Sequence, residues 1–101
     1  METNGSPALN VETLIHHTSD VRDLAERQPH SVAYRDSIVA ILTDLDGELR
    51  RQVVDVARLR VSASGLFRLV TDSSELEESD FGRAVIALHN DIVAFVRKTS
   101  G

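Results

Sequence analysis

From residue 32 to residue 70 the chain carries no proline and places its apolar residues three and four positions apart. Read as heptads, one series is Leu42, Leu49, Val56, Ala63 and Val70, and the other is Ile38, Leu45, Gln52, Leu59 and Leu66. Only Gln52 breaks the stripe. This spacing lays one apolar face along an α-helix, and Ser31 is a suitable N-cap for it. Gly47 and Gly65 fall outside the stripe, where each weakens the helix without opening a core cavity. Asp46-Gly47 is also a turn signal, yet Leu42 and Leu45 before it and Leu49 after it keep one phase. The pattern therefore predicts one continuous helix about 58 Å long. A compact chain of this size has a radius of gyration of only about 13 Å.

Two shorter helices flank it. Val11, Leu14, Val21 and Ala25 repeat at heptad spacing behind Asn10, a good N-cap, with Ile15 and Leu24 widening the face. Thr18-Ser19-Asp20 is a point of weakness, because short polar side chains compete for backbone hydrogen bonds. Pro29 ends this helix near Arg27. After the loop Thr71-Asp72-Ser73-Ser74, the pair Ser74 and Glu77 matches a capping box, and Ser79 or Asp80 offers a second start. Phe81, Val85, Leu88, Ile92 and Phe95 then alternate at four and three, with Ile86, Val93 and Val96 beside them and Arg97 and Lys98 in the last turn. Residues 1–8 read as a disordered tail, leaving residues 9–101 as one helical domain.

The expected fold class is thus all-α: three helices with a long central one, a helical hairpin associating into a dimeric helical bundle. Two short helices lining one side of the long helix give a layer only two helices thick, whereas stable helical domains share a core among several. Leaving Ile86, Val93 and Val96 wet would forgo roughly 1.5–3 kcal/mol each, so a homodimer with an isologous two-fold interface is the expected solution. Leu66, Val70, Leu88, Ile92 and Phe95 are the residues assigned to that interface. Gln52 is either a register-setting polar residue near the dimer axis or an ordinary side chain reaching water.

Composition narrows the function classes. The 101 residues are 42% hydrophobic and contain no cysteine, which excludes disulfides and thiolate metal sites and fits a cytoplasmic protein. The start of the chain lacks a basic region followed by an apolar core, and no apolar run is long enough to span a bilayer. A net charge of −5 argues against a protein devoted to coating nucleic acid phosphates. Within that average lies an asymmetry: Arg50, Arg51, Arg58, Arg60 and Arg68 oppose only Asp55, and just beyond come Asp72, Glu75, Glu77, Glu78 and Asp80 without a base. Such patches pair within the fold or across an interface, or simply face solvent.

No catalytic, cofactor-binding or metal-binding residue emerges. None of His16, His17, His30 and His89 pairs with another at the i, i+4 spacing of two ligands on one helix face. Asp44-Leu45-Asp46-Gly47-Glu48 looks like a calcium loop until it is aligned on its glycine, which puts Leu42 and Val53 at the first and twelfth ligand positions. The carboxylates fit helix ion pairs such as Asp46 with Arg50. Phosphate-binding glycine loops and nucleophile elbows are absent from the sequence.

One segment resembles a known family. Val61-Ser62 followed by Leu66, Arg68 and Leu69 resembles the turn and recognition helix of bacterial helix-turn-helix repressors, with Val56 at the position of the family's alanine, Ala57 one residue too close, and Arg60 in place of the turn glycine. That resemblance implies a DNA-binding transcriptional regulator using residues 50–70. In size and plan the chain is also similar to bacterial quorum-sensing antiactivators, a likeness at the level of fold. The first expectation is accordingly a small non-enzymatic regulator working by protein–protein contact, as an adaptor, antiactivator of a transcription factor or chaperone. Its partners would be itself and another protein, with Arg58, Phe67 and Arg68 as partner contacts; DNA binding is the alternative.

Overall fold

The computed structural model describes residues 10–100, so the expected tail at residues 1–8 lies outside the described residues. Everything described is helix or connecting turn: α1 (Val11–Glu26), α2 (Arg35–Leu49), α3 (Val56–Thr71), the single turn α4 (Ser74–Glu77) and α5 (Asp80–Ser100). The first helix starts where its sequence predicts, with Asn10 Oδ1 accepting from the Thr13 backbone N–H at 2.8 Å. It runs through Thr18-Ser19-Asp20 unbroken, because Thr18 sits wholly inside the core and packing outweighs local competition.

The second helix does not start at Ser31. Backbone bonds from Val32 to Pro29 and from Arg35 to Val32 wind residues 29–35 into turns, and Tyr34 adopts a left-handed conformation (φ 60°) before the helix begins at Arg35. Arg35 Nη2 then donates to the carbonyl of Glu26 at 2.9 Å, satisfying an open group at the end of α1. At the far end Ser73, rather than Ser74, caps α4 by accepting from Leu76 N–H. Ser79 Oγ accepts from Gly82 N–H at 2.9 Å and so starts α5, one of the two expected positions.

The expected continuous central helix is the main correction. It ends at Leu49, with Arg50 as C-cap, and restarts at Val56 behind Asp55, whose carboxylate accepts from Arg58 N–H at 3.3 Å. Gly47 lies inside α2 as expected; the break comes at residues 50–55, and Gln52, the one gap in the stripe, is exposed there. Heptad phase survives because Leu49 and Val56 happen to be seven residues apart. Phase states which face of each helix is apolar, and is silent on whether the axis continues or reverses.

Reversal turns α2 and α3 into an antiparallel hairpin. Their facing pairs run from Tyr34 bonded to Asp72, through Ile41 lying over Gly65, to Glu48 beside Arg58. The first helix packs on α2 and α5, and α3 on α2 and α5, the diagonal pairs standing farther apart across a shared core. The product is an up-down-up-down four-helix bundle with α4 as a one-turn linker. Its longest dimension is 45 Å, shorter than a straight central helix alone would need.

This topology closes the core within one chain. The broad apolar face of α5 is covered from two sides, by α1 and α3, and Val85, Leu88, Ile92 and Val96 are buried. Leu66, Val70, Leu88 and Ile92, expected at a dimer interface, are fully enclosed by the same chain, and Phe95 is partly buried against that core. A second copy cannot reach those four without opening the bundle. The sequence argument for a shared dimeric core depended on a straight central helix, and its premise is gone.

Candidate interaction surface

Glu48 is the one charged side chain counted as buried among the described residues, at 7% exposure. Its Oε2 accepts from the Asp55 N–H at 2.8 Å, while Oε1 lies 3.3 Å from Arg51 and 3.7 Å from Arg58. One carboxylate thus ties the end of α2 to the start of α3, and both oxygens are engaged. That leaves it fitted to hold the turn rather than to move a proton. Above it opens a cleft of about 670 Å³ walled by small groups, Gly47 and Ala57, and edged by Val61, Arg51 and Arg58.

The large hydrophobic side chains left most exposed stand on α3 or in the turns beside its two ends. Val53 is 79% exposed, Val61 72%, Phe67 40% and Tyr34 39%. Val61 and Phe67 stand on α3, and Val53 lies in the turn that leads into it. Tyr34 hydrogen-bonds Asp72, the C-cap of α3. Among the described residues no such side chain protrudes from α1 or α5. Phe67 also lies against His89 of α5, ring centroids 4.8 Å apart. Between Val61 and Phe67 the exposed surface of α3 carries the small Ser64, which permits close approach by another backbone.

The expected partner contacts divide along this surface. Arg58 faces α2 through its ion pair with Glu48, Phe67 leans toward α5, and Arg68 is exposed with no ion pair among the described residues. They share a helix without converging on one point. Residues 60–62 lie in the middle of unbroken α3, so the turn that a helix-turn-helix motif requires is not formed there. Val53, Val61, Tyr34 and Glu48 were not assigned as contacts from the sequence. A valine lying off the heptad stripe was the available signal for Val61.

The histidines occupy separate places. His17 Nδ1 meets Asp91 at 2.8 Å between α1 and α5, His30 lies 3.2 Å from Asp36, and His89 bonds Asn90 at 3.1 Å. No group of three or more His, Cys, Asp or Glu is placed to hold a metal among the described residues. Asp36 is held below its ordinary carboxylate pKa, first by the hydrogen bond from Arg35 and then by that from His30. The phenol of Tyr34 is raised above its ordinary 10.0, first by its hydrogen bond to Asp72 and then by that carboxylate's charge. No described helix is long and apolar enough to cross a membrane. Comparison with protein-family models, curated proteins and solved structures finds no match to this chain.

Proposed function

We propose that this chain is a small non-enzymatic regulatory protein that works by protein–protein contact, in the manner of an adaptor, antiactivator or chaperone, through the outer surface of α3. The observation that carries this reading is the collection of exposed large hydrophobics on α3 and at its two ends, on a bundle whose core is already closed. Exposed apolar side chains that collect about one element mark interaction sites more often than those scattered singly. A partner helix laid along α3 would cover Val61 and enter the cleft beside Ala57 and Gly47, with apolar anchors at three- and four-residue spacing.

The test is Val61→Asp. At 72% exposure this side chain contributes little to folding, so the melting curve should stay within about 0.5 kcal/mol of wild type. Tagged wild-type protein recovered from its own cells should bring down a partner that the variant loses. Identical recoveries from both, with the fold intact, would refute the reading.

A further inference from the structure

Resting on the reading of α3 as an interaction surface, we infer that its occupant is an acidic amphipathic helix of another protein. That helix lies along the outer face of α3, with carboxylates against Arg60 and Arg68 and apolar side chains against Val61 and Phe67.

The outer face of α3 has a heptad pattern of its own. Ala57, Arg60, Val61, Ser64, Phe67 and Arg68 recur at the three- and four-residue spacing of one helix face, and all six are exposed. Arg60 stands beside Val61, and Phe67 beside Arg68, with the small Ala57 and Ser64 before each pair. Each level thus offers a gap flanked by one apolar and one cationic group. A helix that intersperses apolar and acidic side chains fits that surface.

Charge selects the partner. From Val56 to Thr71 the helix holds three arginines and no acid, in a chain whose net charge is −5. Arg58 is ion-paired with Glu48, whereas Arg60 and Arg68 make no ion pair or side-chain hydrogen bond among the described residues. The neighbouring acids are engaged or stand at the edges of the face: Asp55 accepts from Arg58 N–H, Asp72 is bonded to Tyr34, and Asp44 lies across the cleft on α2. Glu75, Glu77, Glu78 and Asp80 follow the end of α3. Arg60 and Arg68 are about 12 Å apart along the axis, a span matched by carboxylates seven or eight residues apart on a partner helix. Nucleic acid shares the charge but not the rest: a phosphate backbone offers nothing apolar to Val61 and Phe67, and running on past Arg68 it meets four acids. A short helix stops before them. A second copy does not supply the occupant, since among the described residues the helix that exposes large apolar side chains is α3 itself, which has no carboxylate.

Peptide display with charge reversal tests it. A phage library of three-heptad helical peptides, varied over leucine, alanine, glutamate and lysine on one face, is selected against the immobilised full chain. Wild type is expected to enrich peptides with leucine or alanine in the middle of that face and glutamates seven or eight residues apart. The best of these should bind about tenfold more weakly to the variant combining Arg60→Glu with Arg68→Glu, which should enrich lysine at those places instead. Val61→Asp should enrich neither. Melting curves establish that each variant is folded, and Arg60→Gln with Arg68→Gln replaces the reversed pair if a carboxylate in the last turn of α3 costs the fold; it too should lose the preference for glutamate. Enrichment on wild type that ignores the sign of the charge, a preference unchanged by either pair of substitutions, or no enrichment at all overturns the inference. Tighter binding of a mixed-sequence DNA duplex of about 20 base pairs through Arg60 and Arg68 overturns it as well. If the inference falls while Val61→Asp still loses the partner recovered from cells, the α3 surface stands and the acidic helix alone is wrong.

Discussion

Replacing each internal helical glycine by alanine separates what helix propensity dictates from what packing allows. Propensity alone favours alanine by about 0.8–1.0 kcal/mol at every such position. At Gly47 the added methyl meets nothing within 4 Å, so Gly47→Ala should realise that gain in full. At Gly65 the nearest atom is Ile41 Cδ1 at 3.4 Å, an ordinary contact with the end of a flexible side chain, and Gly65→Ala should be neutral or mildly stabilising. Gly82 is the opposite case. Its new methyl would lie 1.8 Å from the Leu76 carbonyl oxygen and 2.7 Å from the carbonyl carbon, against a limit of 3.0 Å for real contacts. Both atoms are backbone, so α4 must move by at least about 1.2 Å. That movement pulls on the Ser79 hydroxyl, which donates to Leu76 O at 2.6 Å and accepts from Gly82 N–H at 2.9 Å, and on the buried side chain of Leu76. Two hydrogen bonds at about 1 kcal/mol each and part of a leucine's burial at about 1–2 kcal/mol outweigh the propensity gain, for a net loss of about 2 kcal/mol. In a domain of this size each kcal/mol moves Tm by about 4–8 °C. Gly47→Ala should therefore melt several degrees higher, and Gly82→Ala about 10 °C lower, in calorimetry or urea titration. A Gly82→Ala protein as stable as wild type would refute the close approach of α4 to α5.

Two further perturbations address polar groups. The Thr18 hydroxyl is fully buried and has no hydrogen-bond partner among the described residues, so Thr18→Val, similar in shape, should raise stability by about 1 kcal/mol; a loss in urea titration would mean that the hydroxyl is satisfied. Tyr34 tests the tie between the α1–α2 turn and the end of α3. Since its folded pKa is raised, the stability it contributes is fully present below pH 10.0 and is lost as pH rises through the folded value. Denaturation midpoints followed from pH 8 upward should fall more steeply for wild type than for Tyr34→Phe; parallel curves would show that the Asp72 bond has no part in folding.

The helical class, the Asn10 cap, the end of α1 before Pro29 and the start of α5 are all legible in the residues, because each depends on hydrogen bonds and steric limits within a few positions. So is most of the core: of the stripe, Ile38, Leu42, Leu45, Leu49, Leu59, Ala63, Leu66 and Val70 are buried, Val56 is partly buried, and Gln52 is exposed. Whether that stripe lies on one helix or two is not a local property. Residues 50–55 reverse because doubling back buries the stripe against α1 and α5, and Glu48 then supplies a carboxylate to the N–H of Asp55, the N-cap that opens α3. The sequence pointed to Asp55 as a charge but not as a cap, since its role depends on that reversal.

The same topological choice governs the surface. Residues such as Leu88 and Ile92 look like an interface when only two helices are available to cover them, and become core once four are. Val61, Val53 and Tyr34, unremarkable in the heptad pattern, become the exposed apolar groups on and around α3. Periodicity and composition thus determined an amphipathic, all-helical chain and most of what it would bury, because apolar residues leave water in any packing. Only the tertiary structure decided which faces remained outside, because that depends on how many helices one chain brings to its own core.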